Sequence, residues 1–535
     1  MAYPSDKATR DLLTSITGVR LPNHPPTTLW DLTISPPPSS VITSITPHNP
    51  KNTANHSASG HHGYSGALLT PPLCHPHIHL DKPFLLSTPP HSSLPPPTAG
   101  TFAEAMSLTR QAKASFTRPD LLRRGRRLLR ESLRAGVTAC RAFVEVDPGV
   151  GMLCLDVGLE LKREWEGKGV DVQVCAFAQE GMFGAGKGDS GIAGGGGGED
   201  ADVDDDGVQE MKSLMEEAAG REGVDVVGSA PYVEATEEKA KRNVEWMIDL
   251  AGRHCKHVDF HLDYYLERER APLVWEVVKL LRKSGWGRCG MDPGIAEKQK
   301  TVALGHCSRL TLFQKAEWQA LRRAIDEDLK VAFVGLPTSD LFMMGRPAPS
   351  PSQGSEDSNE VEAGHGGGER VRGTLQIPQM ISEYGFQAAI GVNNVGNAFT
   401  PWGSCDPLGV ASLGIGVYHA GTSREWELLF QCVSGRAREV IGLEDVNETQ
   451  SRQPACRTEI LVGDRADFVI WGGSGQEREI VIGEMGDEEV EDGGISVTRK
   501  TVQELVCDPP ELRERIVVKG GVVVSRGDSF AGISL

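Results

Sequence analysis

The segment Pro76-His77-Ile78-His79-Leu80-Asp81-Lys82 is the most informative part of this 535-residue sequence. It follows an apolar run, residues 67–70, and together they predict a buried strand that ends in polar side chains. Because side chains two apart in a strand share a face, His77 and His79 are expected to project together. Packed histidines are the plainer interpretation of an isolated His-x-His, but the apolar strand and the following Leu-Asp-Lys favour two ligands of one metal ion. His75 shares the face, and we interpret it as a packing residue or a neighbour of the ligands.

Strand-like and helix-like segments alternate after this motif. Residues 119–135 carry leucines at helical spacing with arginines on the opposite face, and Gly136 ends the pattern. The sequence predicts strands at 137–146, 170–178, 224–230, 258–262, 301–305, 331–334 and 387–392, and helices at 209–219, 236–253, 273–284 and 314–328. Repeated strand-then-helix units of this kind predict a parallel α/β barrel. A doubly wound open sheet is the alternative, but no glycine-rich phosphate loop follows a first strand.

A smaller domain is expected from the two ends of the chain. Residues 1–65 hold short β-type runs such as Thr28–Ile34, and β-type runs return at 467–471, 480–482 and 516–525. We expect 1–65 and 446–535 to form a small β-sandwich, which leaves 66–445 for the barrel. Two insertions, 186–207 and 348–372, are rich in Gly, Asp, Ser and Glu. They lack the apolar residues that offset ordering entropy, so we predict that they are disordered.

Charge and cysteine usage limit the partners and the compartment. The formal net charge is −18, and no basic stripe is evident, which argues against nucleic acid and anionic membrane surfaces as partners. The eleven cysteines are scattered without a Cys-x-x-Cys pair, which favours a reducing compartment, and cytoplasm is the expectation. No segment approaches the roughly 20 apolar residues that span a bilayer. The composition is compatible with a homo-oligomer.

Several short segments occur in an order that resembles a known family. Pro76-His-Ile-His-Leu-Asp81 is similar to the first-strand motif of cytosine deaminase and its relatives in the amidohydrolase superfamily, which include the triazine-ring amidohydrolases. Ala176-Phe-Ala-Gln-Glu-Gly181 is similar to the family's Phe-Pro-Gln-Glu-Gly. The other similar segments are Arg141–Pro148, Val226–Pro231, Phe260–Asp263, Leu304–Cys307, Leu336–Arg346 and Asn393–Gly403. The resemblance covers most of residues 66–445.

This resemblance implies a (β/α)₈ TIM-like barrel that binds one divalent ion, Zn or Fe, at the C-terminal ends of its strands. It implies His77, His79 and His261 as metal ligands, with Asn393 at the fourth ligand position. His306 matches the histidine that contacts the water on the metal. The family's reaction uses the metal to lower the pKa of that water, which attacks a carbon bonded to nitrogen while carboxylates move the protons.

Two further residues are expected to bind the small heterocyclic substrate or ligand. Gln179 matches the residue that grips the substrate ring, and its carboxamide can donate and accept hydrogen bonds together. Phe399 is expected to line the pocket wall, with Trp402 near it, although aromatic residues on such a loop are as often simple packing.

The sequence differs from the family at positions that bind the metal or transfer protons. Tyr264 stands where the family has the glutamate that shuttles protons, Asn393 where it has a metal-binding aspartate, and Phe143 where it has a second-strand histidine. An amide is a poor metal ligand and no base, and a phenol with a pKa of about 10 is a poor general acid or base. Since general acid–base catalysis contributes about 10²–10⁴-fold, both losses should slow deamination and leave the metal weakly held.

Three accounts of the chain follow. It is an active hydrolase whose protons move through His306, Asp263 or Tyr264, a protein that binds a metal or small ligand without turnover, or a structural pseudoenzyme. Asp263 shares strand parity with His261, so it is expected to point into the site. The matched histidines and Gln179 argue against complete decay of the pocket. We therefore expect a metal-dependent hydrolase of a non-peptide C–N bond in a small cyclic amide or amidine, with the non-catalytic binding protein as the alternative.

Overall fold

The computed structural model describes residues 11–50, 61–64, 66–87, 95–184, 205–286, 300–325, 329–345, 373–443, 458–472 and 499–527. Within these ranges the strands are β1 Ser15–Val19, β2 Trp30–Ile34, β3 Ile42–Pro47, β4 His61–Gly63, β5 Leu68–Thr70, β6 Leu73–His79, β7 Val137–Glu145, β8 Asp171–Ala178, β9 Val224–Ser229, β10 His257–Leu262, β11 Val302–His306, β12 Val331–Gly335, β13 Ala388–Ile390, β14 Phe468–Trp471, β15 Arg515–Lys519 and β16 Val522–Arg526.

The helices of the same ranges are α1 Phe102–Lys113, α2 Arg118–Arg134, α3 Leu153–Trp165, α4 Asp205–Gly220, α5 Glu237–Arg253, α6 Val274–Ser284, α7 Lys315–Ala324, α8 Pro337–Met343, α9 Ile377–Ser382, α10 Pro407–Val417, α11 Ser423–Cys432, α12 Gly435–Val440 and α13 Val502–Cys507. The insertions predicted to be disordered lie outside the described residues, except that residues 205–207 begin α4. The strand predicted at 480–482 also lies outside them.

Eight parallel strands, β6 to β13, form the largest sheet and follow one another in sequence order. An isolated parallel bridge between Ile78 and Asn393 joins its two edges, where the His79 N–H donates to Asn393 O at 2.9 Å and the Asn393 N–H donates to His77 O at 3.1 Å. The sheet therefore closes into a barrel. The predicted TIM-like barrel is confirmed, and the open doubly wound sheet is not the fold.

Local sequence explains why these elements form. Strand β7 is buried at every position, as expected of a parallel strand covered on both faces. Helix α2 begins at the N-cap Thr117, whose side chain accepts the N–H of Asp120, and its leucines face the core. The same alternation places every strand's C-terminal end on one edge of the barrel, which is where ligands bind in this architecture.

A smaller domain combines both ends of the chain, as the sequence predicted. One four-stranded sheet has the order β3-β2-β1-β4 and the other β16-β15-β14-β5. Their facing side chains share one apolar core that includes Leu13, Ile16, Phe468, Ile470 and Val518. Strand β5 pairs with β14 and so belongs to this domain, although it lies beyond the expected division at residue 66. None of the helices in the described ranges is both long and apolar enough to cross a bilayer.

Candidate metal centre

Four imidazoles meet at the C-terminal edge of the barrel. His77 and His79 lie at the end of β6, His261 near the end of β10, and His306 is the last residue of β11. The His261 ring centroid lies 4.6 Å from that of His77, 5.3 Å from that of His79 and 5.1 Å from that of His306. One nitrogen each of His77, His261 and His306 lie within 4.8 Å of one another and could together hold a metal ion. The group contains His306, the predicted contact of the water, and does not contain the predicted ligand His79.

Several of these buried nitrogens have no hydrogen-bond partner among the described residues. They are Nδ1 and Nε2 of His77, Nδ1 of His79 and Nε2 of His261. Buried polar atoms are nearly always bonded, so this set calls for a ligand. Burial, and the other histidines beside them, hold the pKa of His77, His79 and His261 well below the usual value. Neutral imidazole is the form that binds metal, and the donor set therefore fits a divalent ion.

His306 is oriented by a carboxylate that sequence reasoning missed. Its Nδ1 lies 2.8 Å from Oδ1 of Asp340, and Oδ2 of Asp340 accepts from Thr374 Oγ1 at 2.8 Å. Asp340 lies in the short helix α8 and is fully buried. Burial raises its pKa, while His306 acts to lower it. The bond to Nδ1 directs the other ring nitrogen, Nε2, away from Asp340.

Asn393 presents a carbonyl oxygen at the edge of the site. Its Nδ2 donates to Ser339 Oγ at 2.8 Å, and the Ser339 and Thr400 hydroxyls are 2.7 Å apart. Its Oδ1 is buried and has no partner within the part of the chain that the structure describes. The backbone φ of Asn393 is 66°, a left-handed conformation that Asn tolerates better than most residues. The geometry thus leaves a neutral amide oxygen as the atom of this side chain that could reach a metal.

Tyr264 does not have the environment of a proton carrier. Its ring packs on that of His306 at a centroid distance of 3.9 Å, and its hydroxyl donates to Ser339 O at 3.4 Å. Burial raises the pKa of this phenol well above 10. The side chain therefore stays protonated near neutrality and serves as packing for His306.

The Asp263 carboxylate also does not have the environment of a proton carrier, because backbone N–H groups occupy it. Its Oδ1 accepts from the backbone N–H of Leu273 at 2.7 Å, and its Oδ2 from that of Val274 at 3.1 Å. The Tyr265 hydroxyl also donates to Oδ1, at 3.1 Å. The carboxylate thus fixes the start of α6. The expectation that Asp263 points into the site is not matched by this geometry.

The predicted substrate-binding residues lie in an aromatic shell. Gln179 follows β8 and hydrogen-bonds to the hydroxyl of Tyr232. The Phe399 ring lies 5.8 Å from that of Phe102, and Lys82 Nζ lies 5.5 Å from the Phe399 centroid. Phe143 packs its ring 4.0 Å from that of His77. Trp402, by contrast, is 49% exposed. Gln179 and Phe399 are thus buried beside these aromatic residues, and Trp402 faces solvent.

A buried ionic cluster beside the site was also missed from the sequence. Lys82 Nζ lies 2.5 Å from Glu145 Oε1, and Lys113 Nζ lies 2.6 Å from Glu145 Oε2 and 2.5 Å from Asp147 Oδ2. Although burial acts to raise it, the two lysines hold the pKa of Glu145 down at about 2. The cluster ties the end of α1 to the end of β7 and balances the charge of Glu145 with two lysines.

Known proteins resemble this chain closely in fold but only distantly in sequence. Neither protein-family models nor curated proteins give a match. Solved structures do: a 5-methylcytosine deaminase from Klebsiella pneumoniae liganded with 5-fluorocytosine matches with a TM-score of 0.69 and 20% identity, over 97% of this chain and 99% of the other. An N-isopropylammelide isopropylaminohydrolase from Burkholderia multivorans gives 0.63 and 20%, over 97% and 100%. A zinc complex of atrazine chlorohydrolase from Arthrobacter aurescens gives 0.57 and 16%, over 97% and 95%. The resemblance drawn from the sequence motifs is confirmed in the fold.

Proposed function

The chain has the fold of the amidohydrolase superfamily, and on that premise we propose that it is a metal-dependent hydrolase of a non-peptide C–N bond in a small cyclic amide or amidine. The observation that carries the proposal is the convergence of His77, His261 and His306 nitrogens within 4.8 Å at the C-terminal edge of the barrel. The nitrogens that lack protein partners are the second support. The similar solved structures include a deaminase and an aminohydrolase, which agrees with this reaction class.

By the resemblance, His77, His79 and His261 would hold the metal, with the Asn393 carbonyl oxygen beside them. His306, whose nitrogen groups with those of His77 and His261, would face the water on the metal. A bound divalent ion, Zn or Fe, supplies Lewis-acid chemistry and makes water a nucleophile near neutral pH. Three neutral imidazoles and an amide carry no negative charge, so we expect the ion to be held less tightly than in a site with a carboxylate ligand.

Proton transfer falls to His306 in this proposal. Since Nδ1 is bonded to Asp340, Nε2 is the atom that would accept a proton from the attacking water and return it to the leaving nitrogen. Tyr264 stays a phenol and Asp263 is bonded to backbone, so neither competes for that role. One histidine that performs both steps predicts a slow enzyme.

Substrate orientation would come from Gln179 and the aromatic shell. Tyr232 positions the Gln179 carboxamide, which can pair with the donor and acceptor edge of a cyclic amide or amidine. The rings of Phe102, Tyr232 and Phe399 are buried or half-buried, and such surfaces favour a planar heterocycle over a flexible peptide.

A substrate panel tests the proposal. Purified protein loaded with Zn²⁺ or Fe²⁺ is expected to release ammonia from, or open the ring of, at least one member of a panel of pyrimidines, triazines, hydantoins and cyclic ureas. Chelation should remove the activity, and added metal should restore it, because the nucleophile depends on the ion. Activity that persists unchanged after complete metal removal would contradict the proposed mechanism.

Binding without turnover is the alternative, and a specific observation favours it. Tyr264 and Asn393 are both fixed by hydrogen bonds to Ser339, in a pocket that contains neither of the family's two working acids. This alternative predicts that a heterocycle of the panel raises the thermal midpoint without being consumed. Any turnover that disappears in a His77→Ala variant would refute it.

A further inference from the structure

The residues proposed to bind the metal ion carry no negative charge to balance it. A divalent cation among neutral imidazoles in a buried site is costly unless an anion lies near it. Asn393 stands at the fourth ligand position and is neutral, so the ligands themselves provide no negative charge. A carboxylate placed behind the ligands would offset part of this cost.

Most carboxylates around the site are already committed to other partners. Glu145 is neutralised by Lys82 and Lys113, and Asp259 forms a fully buried ion pair with Arg141 at 2.8 Å. Asp263 accepts two backbone N–H groups at the start of α6. Within the described residues, none of these three carboxylates is hydrogen-bonded to His77, His79, His261 or His306. Lysine and arginine side chains balance Glu145 and Asp259, whereas Asp263 and the nearby Asp81 accept backbone N–H groups.

Asp340 is placed differently, because one hydrogen bond connects it to the cluster. Its Oδ1 lies 2.8 Å from Nδ1 of His306, whose ring centroid is 5.1 Å from that of His261. Its other oxygen is bonded to the Thr374 hydroxyl, and no lysine or arginine pairs with it among the ion pairs of the described chain. The charge of Asp340 is therefore directed at the histidines through a single imidazole.

We propose that Asp340, acting through His306, supplies the negative charge that balances the metal ion, the role that Asn393 cannot fill. Asp340 is thus a positioning residue for metal binding, and the anion of the centre lies one imidazole behind the ligands. The inference rests on the proposed function insofar as the centre holds a divalent ion. It adds that a residue in contact with neither metal nor substrate increases the affinity of the site for the ion.

The test is metal affinity measured without any substrate. Zn²⁺ affinity by competition with a chromophoric chelator, and the absorption spectrum of the Co²⁺-loaded protein, are compared for wild type, Asp340→Asn, Thr374→Val and Asn393→Asp. Asparagine offers an acceptor to His306 and a donor to Thr374, so Asp340→Asn keeps the hydrogen bonds and removes the charge. Thr374→Val keeps the charge and removes one hydrogen bond, which makes it the matched control.

Asp340→Asn is expected to weaken Zn²⁺ binding by about tenfold, the low end of the effect of losing the partner of a metal ligand, because His306 is not itself assigned as a ligand. Thr374→Val should stay within about threefold of wild type on the same scale. The double variant Asp340→Asn with Asn393→Asp should recover the affinity, because the anion is returned to the fourth ligand position. The thermal midpoints of the metal-free proteins should not follow this pattern, which separates charge from a loss of stability.

Three results would overturn the inference: Asp340→Asn binds Zn²⁺ as tightly as wild type, Thr374→Val loses as much affinity as Asp340→Asn, or Asn393→Asp fails to rescue. In each case the wild type still binds metal, and the proposed function stands. A wild type that binds no metal would instead overturn the proposed function and this inference with it, so the two failures are distinguishable.

Discussion

Replacing His77 with alanine is expected to abolish metal binding and any hydrolysis together. His77 lies among the other three imidazoles, and both of its ring nitrogens lack a partner among the described residues. Removal of a ligand should cost more than the roughly 10–100-fold in affinity that follows loss of an outer partner. The measurement is metal content after dialysis, with turnover of the active compound from the panel.

His75 provides the matched control for this variant. It is a buried histidine of the same strand, but its Nε2 is bonded to the Ser132 hydroxyl at 3.1 Å, and it is not part of the nitrogen cluster. His75→Ala should keep the metal and the turnover, although its thermal midpoint will fall because a buried side chain is lost. A His77→Ala protein that retains both metal and turnover would show that the cluster is only packing.

Restoring the two family acids is expected to raise hydrolysis. The double variant Tyr264→Glu with Asn393→Asp returns a proton carrier and an anionic ligand to the site, and each kind of assistance is worth about 10²–10⁴-fold. The surroundings permit the second change, because the Ser339 hydroxyl can donate to a new carboxylate while it accepts from the Thr400 hydroxyl. We expect a gain of about 10²-fold or more in kcat.

The first change carries a structural cost, and its control must share that cost. Tyr264→Glu removes a ring that packs on His306, which should destabilise the protein by a few kcal/mol, roughly 3–5 by analogy with buried aromatic truncations. Tyr264→Gln with Asn393→Asp has the same loss of packing without the acid. Equal rates in the two double variants would mean that the pocket has been rebuilt for different chemistry.

Strand parity allowed much of the site to be predicted. His77 and His79 share a face of β6, as expected for alternate residues, and their rings meet those of His261 and His306. The strand predicted at 258–262 is observed at His257–Leu262, and the one predicted at 301–305 at Val302–His306. Parallel strands need only buried apolar runs of the right length, and the sequence contains them.

The alternation of side chains between the two faces of β10 does not extend to Asp263, the residue that follows the strand. Asp263 was expected to share the face of His261, but β10 ends at Leu262 and Asp263 takes a φ of 48°. A left-handed residue turns the chain, so the alternation no longer applies, and the carboxylate binds the backbone of α6 instead. No local signal in the sequence marks that turn.

The remaining contacts of the site join residues far apart in the sequence, and they could not be predicted. Asp340 lies 34 residues after its partner His306, and Lys113 lies 32 residues before Glu145. Such pairs are set by the packing of separate β–α units, and composition or periodicity carries no information about them. Helix α1 is different, since Thr101-Phe-Ala-Glu104 has the spacing of a capping box, and that signal could have located its start.

Metal analysis of the purified protein shows whether this barrel holds a divalent metal ion. After reconstitution with Zn²⁺ or Fe²⁺ and removal of excess, the account predicts about one equivalent per chain, bound by histidines. The His77→Ala protein treated in the same way should retain close to none. A wild type that retains less than about a tenth of an equivalent under conditions where such sites stay loaded would contradict the account.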